Sequence, residues 1–166
     1  MASPIRREFL HSLESELGRV ERLGTGNSLF SIREKARVYV RYSKLHLRGS
    51  TFFGLRQEDI ALLEGHPSFI AFLWEGQREP LLVPYEQFAD VFRSVEPASD
   101  GQYKAHVYAG QEGTDLHIVR AGRFGVDSYF GLRELRAAVL ERNDESALIE
   151  FSHPQIQTVV GAIGKL

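Results

Sequence analysis

Residues 36–48 read Ala-Arg-Val-Tyr-Val-Arg-Tyr-Ser-Lys-Leu-His-Leu-Arg, and the first eight of them alternate strictly in character. Successive side chains of an extended chain point to opposite faces, so Val38, Val40 and Tyr42 fall on one side and Arg37, Tyr39, Arg41 and Ser43 on the other. This pattern predicts a half-buried strand with its arginines in water. Past Ser43 the phase inverts: Leu45 and Leu47 become the apolar set, and Lys44, His46 and Arg48 the polar one. A one-residue slip exchanges the two faces, so the strand must bulge or end near Ser43. Gly49-Ser50 then turns the chain into a further strand, Thr51 to Leu55.

Outward from that segment the chain divides into short elements of both kinds. Ser3 followed by Pro4 is a helix start, and Ile5, Phe9, Leu13 and Leu17 make one apolar helix face that ends near Gly18. A loop at 24–27 precedes a short strand, Ser28 to Ile32. Residues 56–64 have helical spacing, with Gly65 as a stop. Ser68 to Trp74 and Glu79 to Val83 read as an antiparallel hairpin, and Pro84 opens a helix carrying Phe88, Val91 and Phe92. Tyr103 to Tyr108 and Thr114 to Val119 form a second hairpin around Gly110 to Gly113. Asp127 is then expected to cap a helix running to about Arg142.

This order predicts an α+β fold: a mostly antiparallel sheet of about six to seven strands, flanked by helices and curling toward a pseudobarrel. Residues 1–145 are expected to form one domain. Residues 146–166 are read as a linker and the start of a following helix or domain, because Ser152 with Gln155 is a capping-box pattern ahead of Ile156, Val159, Val160 and Ile163.

Composition narrows the function classes. With a hydrophobic fraction of 43% and charged residues at 25%, the chain can build an ordinary core without a metal or a disulfide. It has no cysteine, which removes thiolate metal sites and cysteine nucleophiles and fits the cytoplasm. No stretch approaches the ~20 apolar residues of a membrane span. No glycine-rich phosphate loop, no metal-ligand spacing among the six histidines and no serine nucleophile elbow is present.

The net charge of −2 conceals a local excess of the other sign. Between residues 33 and 56, Arg33, Lys35, Arg37, Arg41, Lys44, Arg48 and Arg56 meet only Glu34, a window of net +6. Arginines alternating with a tyrosine on an exposed strand face can meet successive phosphates of a nucleic acid, while aromatic rings stack on bases. Arg33, Lys35, Arg37, Tyr39, Arg41, Lys44 and Arg48 are therefore the candidate DNA-contacting residues. Tyr42, Phe52, Phe53 and Trp74 are the candidates for a pocket that senses a base or a modification. The competing readings are a solvated strand face neutralised by acids elsewhere, and a module docking an acidic protein. A catalytic reading rests on Asp90 with Gln102-Tyr103-Lys104, a loose form of the acid, then acid-x-lysine, arrangement around Mg²⁺; glutamine replaces its second carboxylate.

The closing segment, Ser152-His-Pro-Gln-Ile-Gln-Thr-Val-Val-Gly-Ala-Ile-Gly-Lys-Leu166, resembles the opening helix of nuclease domains of the PD-(D/E)xK superfamily of restriction and repair enzymes. The catalytic motifs of that family would lie beyond Leu166, so the resemblance assigns no catalytic residue here. It implies a non-catalytic, cofactor-free DNA-recognition domain placed ahead of a nuclease in the same polypeptide, with Mg²⁺ belonging to the nuclease.

Overall fold

The computed structural model of the protein describes residues 3–141. The boundary expected at 143–146 and the segment that resembles a nuclease opening helix lie outside the described residues. Among the described residues the fold is α+β, with nine strands in two sheets, mostly antiparallel, and four helices. The sheets stay open instead of curling into a pseudobarrel, and the strand count exceeds the expected six to seven.

The first sheet holds five strands in the order β1 (Val20–Arg22), β2 (Leu29–Ile32), β3 (Ala36–Ser43), β5 (Ser68–Trp74), β6 (Leu81–Pro84). Its one parallel pair is β3 with β5, from Arg37 opposite Ser68 to Ser43 opposite Trp74. The second sheet has four strands, β4 (Phe53–Arg56), β7 (Gln102–Gly110), β8 (Gly113–Ile118) and β9 (Gly122–Gly125), all antiparallel. Helix α1 (Pro4–Leu17) starts where Ser3 Oγ accepts a hydrogen bond from the Arg6 amide at 3.1 Å. It buries Phe9, Leu13 and Leu17. Helices α2 (Gln57–Ala61) and α3 (Tyr85–Arg93) follow β4 and β6, and α4 (Arg133–Arg136) runs on as a π-helical turn over Ala137–Glu141. No helix among the described residues is long and apolar enough to cross a membrane.

Two cores lie on opposite faces of the five-stranded sheet. One contains Tyr39, Ile70, Phe72, Trp74 and Leu81 from that sheet, against Phe53, Leu55, Tyr103, Val107 and Leu116 of the second sheet and Phe88 and Phe92 of α3. The other packs Val38, Val40, Phe69, Ala71 and Leu73 against Phe9, Leu13 and Leu17 of α1, Leu135 of α4 and Val139 of the π-helical turn. Strand β5, Ser-Phe-Ile-Ala-Phe-Leu-Trp, is buried at every position, which is why it reads as an unbroken apolar run and not as an alternation.

That layering overturns the reading of β3 as a half-buried strand. Its alternation is real, but the face carrying Tyr39 is covered by the second sheet, and Tyr39 is 0% exposed. The helix expected from Asp127 is also corrected. Gly122–Gly125 is a strand, Asp127–Tyr129 is a 3₁₀ turn, and the helix begins at Arg133. The Asp127 carboxylate accepts the Thr114 amide at 2.9 Å, so it ties the turn to the β7–β8 hairpin instead of capping a helix.

Candidate nucleic-acid interface

The seven basic-segment candidates do not converge on one surface. Strand β3 has eight residues, so at about 3.3 Å per residue its two ends lie roughly 23 Å apart. At one end, Arg33 and Glu34 take left-handed φ values of 51° and 59° in the β2–β3 turn, beside Lys35. Arg37 is half-buried there and donates from Nη1 to the Leu62 carbonyl at 2.6 Å. At the other end, Arg41 donates from Nη1 to Ser28 Oγ at 3.1 Å, and its guanidinium sits 5.5 Å from the Tyr39 ring centroid. Burial, and then the neighbouring charge of Arg41, lower the pKa of Arg6. Lys44 and Arg48 are exposed in the loop after β3, which the His46 amide closes on the Ser50 carbonyl at 2.8 Å. Among the described residues no carboxylate pairs with Arg33, Lys35, Arg37, Arg41, Lys44 or Arg48.

The proposed base pocket is not assembled either. Phe53 is 1% and Trp74 7% exposed, and both belong to the core between the sheets. The second sheet supplies a cover that the local sequence around either residue does not reveal. Tyr42 is half-buried against the helix-side core. Only Phe52, 45% exposed, faces outward. The catalytic constellation also disperses: Asp90 is an exposed ion-pair partner of Arg93 on α3, and Lys104 pairs with Asp100. Among the described residues no group of three or more His, Asp or Glu side chains is placed to hold a metal.

What Phe52 faces is a surface that sequence reasoning missed. β7 as far as Tyr108, and β8 throughout, alternate between buried and half-exposed positions, which leaves Lys104, His106, Tyr108, Asp115 and His117 on the outer face of the four-stranded sheet. His106 lies directly opposite His117, and His117 opposite Arg123. The pairing of β4 with β7 carries on through the Ser50–Tyr108 bridge, which brings Phe52 opposite His106. Phe52, just ahead of β4, thus extends the row His106, His117 and Arg123 of β7, β8 and β9 across the sheet.

Tyr108 stands beside that row. The rings of His106, Tyr108 and His117 have centroids 5.9 to 6.4 Å apart and lie within 29° of parallel, and Phe52 tilts against His106 at 5.5 Å. Two cations overlie the rings: Arg123 is 4.5 Å from the Tyr108 centroid and Lys104 5.7 Å from that of Phe52.

Local chemistry fixes this surface in place. His106 Nδ1 is 2.7 Å from the Thr51 carbonyl. A carbonyl oxygen only accepts, so Nδ1 carries the proton, which leaves Nε2 of the neutral ring as an acceptor. The Thr51 hydroxyl is buried and bridges both backbone groups of Val107, accepting from its amide at 2.7 Å and donating to its carbonyl at 3.0 Å. Ser43 Oγ accepts the Phe52 amide at 2.9 Å, joining the end of β3 to this edge. The basic loop with Lys44 and Arg48 therefore borders the aromatic row.

The two-residue turn Gln111-Glu112 was the available signal. It pairs Gly110 with Gly113 and so fixes His106 opposite His117. Comparison with protein families, curated proteins and solved structures finds no match to this chain, so the arrangement of these side chains carries the functional argument.

Proposed function

We propose that this chain is a non-catalytic nucleic-acid-binding module whose contact surface is the outer face of the four-stranded sheet together with the adjoining loop. The observation that carries the reading is the row Phe52, His106, His117 and Arg123, with Tyr108 beside it and Lys44, Arg48 and Lys104 at its borders. Aromatic rings supply stacking surfaces for bases, and basic side chains meet the phosphates. On the face and its bordering loop these four cations outnumber the carboxylates that touch them, Asp100 and Asp115. Lys44 and Arg48 have no acidic partner among the described residues and are the free phosphate contacts.

DNA recognition ahead of a nuclease domain in the same polypeptide, with Mg²⁺ bound by that domain, is the setting we propose for the module. Its support is the resemblance in residues 152–166. Of the residues first singled out, Lys44, Arg48 and Phe52 keep a contacting role. Arg33, Lys35 and Arg37 lie at the far end of β3, and Tyr39 is enclosed.

Fluorescence anisotropy with labelled DNA and RNA oligonucleotides tests the reading. Binding should weaken with salt, and Lys44→Ala with Arg48→Ala should flatten the slope of log K against log salt by about 1.4 for single strands or 1.8 for duplex, two phosphate contacts being lost. Arg33→Ala with Lys35→Ala should leave affinity within about twofold, because those residues are about 23 Å away along β3. Absence of binding to any oligonucleotide at low salt overturns the proposal.

A further inference from the structure

We infer that the ligand of this face is single-stranded nucleic acid, read through unpaired bases and not through a duplex groove. The inference rests on the nucleic-acid reading above and names the form that the surface selects. A duplex keeps its base faces inside the stack and offers phosphates and groove edges, which call for a dense set of projecting cations or for an element that enters a groove. The outer face offers the reverse. Its central positions are rings, and the two cations that overlie those rings are already committed, Lys104 to Asp100 and Arg123 to Asp115. Only Lys44 and Arg48 are left for phosphates.

The side chains suit splayed bases in three ways. His106, Tyr108 and His117 are near parallel, so they present a consistent set of planes to which bases can align. The Arg123 guanidinium lies over Tyr108 and extends that platform, since bases stack on guanidinium planes as well as on rings. The Nε2 of half-exposed His106, left as an acceptor by the Nδ1 bond to the Thr51 carbonyl, can take a hydrogen bond from an exposed imino or amino group of a base. Such donors are occupied by pairing in a duplex. Four strands at about 4.8 Å spacing make a row roughly 14 Å long, enough for two or three bases.

The test compares labelled ten-nucleotide dT, dA and rU oligomers with a blunt ten-base-pair duplex, at two salt concentrations. Single strands should bind at least tenfold more tightly than the duplex, with a shallow salt slope of about −1.4 for two phosphate contacts. Tyr108→Ala and His117→Ala should each weaken single-strand binding by about 5- to 150-fold, the range of one lost stacking contact. Tyr108→Phe, which keeps the ring, should restore most of the affinity, and matched circular dichroism melts separate a lost contact from a lost fold.

Equal affinity for the duplex, or Tyr108→Ala binding as the parent chain does, overturns the single-strand inference and leaves the broader reading standing. Binding of neither form overturns both. Displacement of the oligomers by poly-glutamate at equal charge overturns both in favour of an acidic peptide ligand.

Discussion

Tyr39 shows how one residue can be read correctly in its periodicity and wrongly in its surroundings. It lies between two arginines on an alternating strand, yet its ring is enclosed by the second sheet and its hydroxyl accepts the Arg56 amide at 3.0 Å. Burial is the main cause that pushes its pKa up to about 12. Tyr85, also buried and hydrogen-bonded to Glu64, is likewise pushed to about 12, again chiefly by burial. Both groups titrate at 10.0 when unperturbed. Between pH 10 and 12 the unfolded chain therefore releases protons that the folded chain keeps. The stabilisation is fully present below pH 10 and is lost as pH rises through 12, on the order of 2 kcal/mol for Tyr39 and less for Tyr85, whose hydroxyl is more screened by solvent. Urea midpoints should be level from pH 7 to 9 and lower at pH 11. Tyr39→Phe with Tyr85→Phe should remove much of that fall, and an equally steep fall in the double variant would show that other groups cause it.

At the scale of elements, legibility followed length and turn chemistry. Strand β5, the β7–β8 hairpin and α1 carry long, regular signals and stand where the sequence placed them. β1 and β9 have three and four residues, too few for a period to register, and β9 is bounded by glycines. The alternation of β3 was legible, but which face would be covered was not. Cover comes from β4 and β7, and their approach depends on contacts far apart in sequence. The aromatic row is a similar case, since His106 and His117 sit in different strands, and Phe52 comes from a third segment, next to Thr51, which bonds Val107 and His106. That residue is the hinge of the arrangement. Replacing Thr51 by the near-isosteric valine strands the amide and carbonyl of Val107 in a buried site, at a cost of about 2–3 kcal/mol. Thermal unfolding should register the loss, and hydrogen exchange at the Val107 amide should accelerate more than at Leu116, which lies opposite it on β8. Uniform acceleration across both strands would show that Thr51 serves global stability alone.

Across the whole molecule, the five-stranded sheet is the wall shared by both cores. Along β3 and β5 alternate side chains enter opposite cores: Tyr39, Ile70 and Phe72 on one side, Val38, Val40, Ala71 and Leu73 on the other. Neither core can dissolve without exposing the back of the strands that hold the other, so the described fold should unfold in one step. Leu13 and Leu55 are each 0% exposed, one in the helix-side core and one between the sheets. Leu13→Ala and Leu55→Ala should each lower stability by about 2–5 kcal/mol. Trp74, the chain's only tryptophan, reports from the core between the sheets. If the wall couples the two cores, its fluorescence and the far-ultraviolet circular dichroism must fall together in urea, even for Leu13→Ala, whose cavity lies on the opposite face. A Leu13→Ala transition in which helical signal disappears before the fluorescence changes would mean that α1 and its core come away from an intact pair of sheets. The nucleic-acid face would then stand on the two-sheet body alone.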